Sequence, residues 1–392
     1  MNEKTALILS GGGARGAYQV GVLKGLNEIL PEKQKTPFQI LSGVSAGAIN
    51  CAQLASEIHQ FSVAIEKLVY LWSQIKAEQV FKTDFLSLNK FSLGLFGNQK
   101  LNALLDTAPL KELLLKNCDF SKIKKNLEDQ IIESVIITAN NYDRSSAISF
   151  IQARGKSPIW KESRRQAQPT ELNVDHIMAS SAIPMLFPPI QIQSQFFGDG
   201  CVRNNTPCSP AIRMGASKLF VIGVRTQLVS EKEHHLRSQK TENTHPQSNK
   251  VASHSPSMIK ILNTLLNAVL LDSVEQDVLR IQRINQMARL VREAQSNKNI
   301  TENILDQGLK EIPALCISPS QDIGEMARQH AHHLPRLIRM TISAIGSLDE
   351  ASEILSYLLF DPNFCRSLID MGYQDALTSR QQILEFFEPE TP

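Results

Sequence analysis

The chain has 392 residues, 42% hydrophobic and 20% charged, enough to bury one large core or two modest ones, which excludes disorder of the whole. Lysine and arginine number 41 against 39 acidic residues; the formal charge of +2 gives no electrostatic case for nucleic acid as the main partner and leaves any membrane attraction to local patches. Six scattered cysteines (Cys51, Cys118, Cys201, Cys208, Cys316 and Cys365) form no C-x-x-C pair, which favours reduced thiols over a disulfide scaffold.

The first apolar run, Ala6 to Leu9, is broken by three glycines and is too short for a signal-peptide core. No run approaches the roughly 18 to 20 apolar residues of a membrane span. The expectation is a cytoplasmic protein that touches membranes peripherally, with export without a cleaved signal left open. Thr5 to Leu9 is predicted as a strand, and Tyr18, Val22, Leu26 and Ile29 predict a helix over 16–30 ended by Pro31. Between them, Gly11, Gly13 and Gly16 satisfy G-x-G-x-x-G, whose glycines let a backbone approach a pyrophosphate.

The second predicted strand, Phe38 to Leu41, runs into "ILSGVSAGAIN" and a helix over 46–58. Gly43, Ser45 and Gly47 form G-x-S-x-G between strand and helix, the setting of a nucleophile elbow, with the helix dipole favouring a developing oxyanion. A dinucleotide site needs an acid at the end of this strand, where Ser42-Gly43-Val44-Ser45 stand instead. A phosphate-binding G-x-x-x-x-G-K-[ST] is not matched either. What remains for Gly11, Gly12, Gly13, Ala14, Arg15 and Gly16 is an oxyanion hole of backbone amides beside a serine, to which Arg15 adds charge.

Further helices are predicted over 63–75 and 110–116. Between them, residues 81–97 carry Phe81, Phe85, Leu88, Phe91, Leu93, Leu95 and Phe96 among polar positions, which reads as core filling or as an interfacial flap. Strands follow at 134–139 and 147–152, joined by a hairpin at "NYDRSS", then at 191–193 and 219–224. Residues 231–250 are polar enough to read as a surface insertion. His234, His235, His245 and His254 lie in or just after it without metal-ligand spacing. Met258, Ile261, Leu262, Leu265, Val269, Val278, Ile281 and Ile284 predict an amphipathic helix or helical pair, read as core or dimer packing against lid or membrane contact. "ALCISPS" at 314–320 predicts another strand, and helical patterns at 334–345 and 351–359 precede an acidic end. This alternation predicts an α/β sheet covered by helices.

A serine hydroxyl needs a base. His330, His332 and His333 sit in a polar helical segment and read as a solvated face. Asp199, in "FFGDGCVRNNTP", is the better candidate, because burial against Phe196 and Phe197 would raise its basicity. The competing reading of that segment is an Asp-Gly surface turn.

Gly11-Gly12-Gly13-Ala14-Arg15-Gly16, Gly43-Val44-Ser45-Ala46-Gly47 and Asp199-Gly200, in that order, resemble the patatin-like phospholipase family, and "HIMASSAIPMLFPP" at 176–189 looks like its segment leading to the aspartate. The resemblance covers about residues 5–225. It implies a three-layer α/β/α fold with a mainly parallel central sheet and added C-terminal helices. It also implies a lipid acyl hydrolase that needs no cofactor or metal, with Ser45 as nucleophile, Asp199 as base and the Gly11 to Gly16 turn as oxyanion hole. Its partners would be a membrane phospholipid or other acyl lipid, met by transient surface contact, with a homodimer as an open alternative. Residues 1–345 are expected to form the hydrolase domain, with the insertion at 228–256 and the amphipathic segment at 257–296; residues 346–392 are expected as a helical extension. Cys201 departs from the glycine or alanine usual after Asp-Gly, and gives the only sequence support for a silent binding module; a general esterase for small soluble esters is the other alternative.

Overall fold

Along Thr5–Leu9 (β1) the side chains alternate between two apolar clusters: Leu7 and Leu9 enter one, Ala6 and Ile8 the other. A strand buried on both faces belongs to a sheet covered on both sides. The computed structural model describes residues 3–82, 103–162, 164–204, 207–226, 257–270, 273–298, 310–345, 347 and 350–388. Its strands continue with Ile40–Val44 (β2), Ser134–Asn141 (β3), Ser146–Ala153 (β4), Arg165–Pro169 (β5), Ile190–Ile192 (β6), Gln195–Asp199 (β7), Lys218–Ile222 (β8) and Ala314–Ile317 (β9). Its helices are Gly16–Ile29 (α1), Ala46–Glu57 (α2), Phe61–Gln74 (α3), Ala108–Asn117 (α4), Phe120–Glu128 (α5), Val174–Ser180 (α6), Ser209–Arg213 (α7), Met258–Leu270 (α8), Ser273–Lys298 (α9), Ile323–Gln329 (α10), Arg336–Ile345 (α11), Ser352–Leu358 (α12), Pro362–Thr378 (α13) and Arg380–Phe387 (α14).

The sheet runs β5-β4-β3-β2-β1-β8-β9, with β7 added to β3 and β6 to β7. From β3 to β9 neighbouring strands are parallel, and β4 turns back antiparallel to β3 through the hairpin at 142–145. The larger cluster, with Leu7, Leu41, Ile137 and Phe220, is covered by α1, α2, α3 and the C-terminal helices, which contribute Leu355, Phe364 and Leu368. The smaller cluster, with Ile8, Ile136 and Val221, is covered by Ala211 of α7 and by Val274, Val278 and Ile281 of α9. The result is a mixed α/β architecture around a mostly parallel sheet.

Three differences from the sequence reading have physical causes. Phe38 is a core residue in the approach to β2, with its ring 5.8 Å from that of Phe220, and the strand itself runs on through the small residues Ser42 and Gly43. Edge strand β5 is polar and half-exposed and ends in proline, which an edge tolerates. Helix α13, absent from the predicted elements, packs along α1, where Tyr18 donates a 3.0 Å hydrogen bond to Asp375. The C-terminal helices therefore share the main core. Residues 83–97 of the apolar stretch, and 228–256 with His234, His235, His245 and His254, lie outside the described residues. Phe81 is buried. In the amphipathic segment Val278 and Ile281 are buried, while Met258, Ile261, Leu265 and Ile284 face outward. No helix among the described residues is long and apolar enough to cross a membrane.

Candidate active site

Strand β3 is the common neighbour that brings the site together. Strand β2 ends at Val44 opposite Thr138, and antiparallel β7 takes over the same flank of β3, with Asp199 opposite Ala139. The ends of β2 and β7 thus meet head-on, and the residue that follows Val44 is Ser45. Its Oγ donates a 2.6 Å hydrogen bond to Asp199 Oδ2, and both side chains are buried.

Ser45 stands in the turn between β2 and α2 at φ 55°, ψ −126°, a conformation that costs a non-glycine residue free energy and aims its side chain away from strand and helix alike. The turn needs a close approach behind it: a Cβ on Gly47 would lie 2.2 Å from the Leu9 carbonyl oxygen, and one on Gly43 would lie 2.3 Å from that of Gly47. The end of α6 clamps it. Ser180 Oγ accepts from the Ser45 amide at 3.0 Å and donates to the Thr138 carbonyl at 2.7 Å, while Ser181 Oγ donates to the Ser45 carbonyl at 3.1 Å. Sequence reasoning singles out the segment 176–189 without assigning these serines a role; the Ser-Ser pair after an apolar helical turn is its only signal.

Asp199 is fully buried, so the surface-turn reading does not describe it. Burial is the main cause that pushes its carboxyl up to about 6, opposed by the hydrogen bonds from Ser45 and from the Cys201 amide (2.9 Å to Oδ1) and by the neighbouring Cys201 thiol. Of the two aromatics before it, Phe197 is buried with its ring 5.4 Å from Phe150, whereas Phe196 is largely exposed. Gly200 packs on the Thr138 carbonyl, and the Cys201 thiol fills the space against Gly11.

The glycine turn lies on β1, beside β2, and places Gly11 against Ser45. Gly13 takes φ 57°, and a Cβ there would lie 2.3 Å from the Tyr357 carbonyl oxygen of α12. Among the described residues the amides of Gly12 and Gly13 make no hydrogen bond. Ala14 is buried in the core, and the Gly16 carbonyl accepts from Asn50 Nδ2 at 3.0 Å. Asn50 also accepts from Trp72 Nε1 (2.7 Å) and donates to Gln19, which in turn donates to the Ser10 carbonyl at 2.7 Å. This buried network fixes the turn from behind. Arg15 does not direct its charge to the serine: its guanidinium pairs with Glu353, donates to Ser356 Oγ (2.8 Å) and to the Val224 carbonyl (3.2 Å), and lies over the Tyr357 ring.

A narrow apolar cavity with about 30 Å³ of free space opens beside Gly13 and Ser45, lined by Trp72, Ile75, Leu110, Leu114, Ile183, Phe187 and Phe360. Among the described residues, the histidine and carboxylate atoms close enough together to share a metal ion lie elsewhere, at His330, His333 and Asp361.

The sequence profile of the patatin-like phospholipase family (Patatin) matches residues 7–212, more than half of the chain and all of the residues just described on β1, β2 and β7. Uncharacterized protein R571 of Acanthamoeba polyphaga mimivirus is 28% identical over 206 residues, 51% of this chain and 59% of that protein. Probable lipid hydrolase 463L of Invertebrate iridescent virus 6 is 26% identical over 208 residues, 53% of this chain and 63% of that one. The cGAMP-activated phospholipase of Pseudomonas aeruginosa is 28% identical over 201 residues, 51% of this chain and 53% of that one. Each match thus spans less than two thirds of the relative's own length. With the glycine turn, the serine elbow and the buried aspartate all inside the matched span, the chain belongs to the patatin-like phospholipase family.

Proposed function

We propose that the chain is a lipid acyl hydrolase of the phospholipase A or lysophospholipase type, working through Ser45 and Asp199. The observation that carries this reading is the buried 2.6 Å hydrogen bond from Ser45 Oγ to Asp199 Oδ2 at the mouth of an apolar cavity. In the mechanism, Asp199 Oδ2 takes the Ser45 hydroxyl proton as Oγ bonds to the acyl carbonyl carbon. The amides of Gly12 and Gly13 hold the resulting oxyanion. Collapse breaks the ester bond, and the departing alcohol takes the proton from Asp199. Water then gives a proton to Asp199 and attacks the acyl-enzyme, and the fatty acid leaves as Ser45 recovers its proton. A carboxyl poised at about 6 is mostly ionised at neutral pH yet basic enough to accept the proton. The cavity walls suit an acyl chain, and its narrowness requires that side chains such as Leu110 and Leu114 give way to admit one.

The test is fatty-acid release from mixed phospholipid vesicles, with a parallel triacylglycerol and short-ester panel. It compares wild type with Ser45→Ala and with Asp199→Asn, which keeps an acceptor for the Cys201 amide. Release by wild type alone, higher on vesicles than on soluble esters, is the expected result. Equal turnover by folded Ser45→Ala would overturn the assignment, and hydrolysis confined to soluble esters would replace the lipid substrate with a small one.

A further inference from the structure

His330 is the C-cap of α10, and the turn Ala331–His333 that follows returns His333 to the same side, so that the two rings stack 6.0 Å apart. Asp361, the N-cap of α13, meets them from a distant part of the chain. Its Oδ1 accepts from the Asn363 and Phe364 amides at 3.0 Å each, and its Oδ2 lies 3.8 Å from His333 Nδ1. The cap hydrogen bonds thus hold one carboxylate oxygen and leave the other to the histidines. His330 is half-buried, its ring 5.8 Å from Phe364, and its buried Nδ1 has no hydrogen-bond partner among the described residues. Ligand atoms of all three residues lie within 4.8 Å of one another, against the ~3.3 Å edge of a tetrahedron with metal bonds of about 2.0 to 2.1 Å, a gap that side-chain rotation closes. Two imidazoles and one carboxylate form a borderline nitrogen and oxygen donor set, suited to zinc and its first-row neighbours rather than to magnesium or calcium.

We propose that His330, His333 and Asp361 bind one divalent transition-metal ion of the zinc class, with solvent completing the coordination. Binding ties α10 to the start of α13 and fixes the turn carrying Phe360, the residue before Asp361 and part of the cavity wall at Ser45. None of the three ligands takes part in the proposed Ser45 and Asp199 chemistry.

The test titrates Zn²⁺ into the full-length, tag-free chain against a chromogenic chelator, beside His330→Ala/His333→Ala and Asp361→Asn. The asparagine can still cap α13. The remaining histidines are the same in all three proteins, so binding to them cancels in the comparison. Expected is one site per chain in wild type, weakened about 100-fold in the double variant and about tenfold in Asp361→Asn. Visible absorption of tetrahedral intensity with Co²⁺ is expected in wild type and absent from the double variant. His333 is exposed, so His333→Ala alone carries the comparison if the double variant fails to fold. Equal zinc affinity and stoichiometry in wild type and variants would overturn the site and leave His333 and Asp361 as a simple charge contact.

Discussion

Two turns stand side by side at the same end of the sheet, each joining a parallel strand to a helix through glycine. The β2 to α2 turn bends to present a side chain, Ser45; the β1 to α1 turn bends to present backbone amides. What holds each of them also differs. The serine turn is enclosed by neighbours within the sheet region, the Leu9 carbonyl, Ser180, Ser181 and Asp199. The glycine turn rests on α12, more than 300 residues along the chain, through the Tyr357 carbonyl and the Arg15 to Glu353 pair. Both turns are fixed from behind by the sheet region, and the glycine turn alone is also braced by the C-terminal helix α12.

Removing the proposed reacting groups, Ser45 of the first turn and Asp199 at the end of β7, gives the largest expected effects. Ser45→Ala and Asp199→Asn should each lower fatty-acid release by about 10³-fold or more while leaving the circular dichroism melt cooperative. Gly47→Ala comes next, since its Cβ would lie 2.2 Å from the Leu9 carbonyl and must push the elbow off its strand. Its activity should fall by about 100-fold, the scale of a small misplacement of a reacting atom. Near-normal turnover by Gly47→Ala would show that the serine turn has slack that the packing does not suggest.

The brace on the second turn is tested by Glu353→Gln. Arg15 has only 3% of its side chain exposed and Glu353 22%, so neutralising the acid strands a buried guanidinium. The expected cost is about 2 kcal/mol in denaturant melts, below the range for a fully buried pair because Glu353 is partly solvated. Activity should fall by about tenfold through the glycine turn. Loss of stability with unchanged activity would separate α12 from the oxyanion site. The smallest effect concerns pH. In the proposed mechanism Asp199 acts as a carboxylate, so kcat/KM should fall as pH drops through about 6. The Cys201 thiol beside that carboxylate favours its ionised form, so Cys201→Ala should move the acid limb upward. A downward movement would contradict the thiol's part in the site.

The same contrast explains what the sequence discloses. Strand β1, the helices over 16–29 and 46–57, the G-x-S-x-G turn and the pairing of Ser45 with Asp199 are legible, because each rests on a local pattern or on a familiar order of motifs. The brace is not legible. Arg15 looks like free positive charge until the fold brings Glu353 to it, and α13 carries no strong apolar stripe, although it covers α1. Strand β7, five residues that end in Gly198-Asp199, is defined by its pairing with β3, which no local window contains. His330, read as part of a solvated face, is half-buried because Phe364 of α13 lies against it.

Activation of Ser45 by Asp199 is tested by labelling with a fluorophosphonate acyl mimic, read as intact mass and by peptide mapping, on wild type, Ser45→Ala and Asp199→Asn at about pH 7.5. One adduct per chain on Ser45 is expected, with none in Ser45→Ala and labelling slowed by orders of magnitude in Asp199→Asn. An adduct at another residue, or labelling of Asp199→Asn at the wild-type rate, would contradict a serine activated by its buried aspartate.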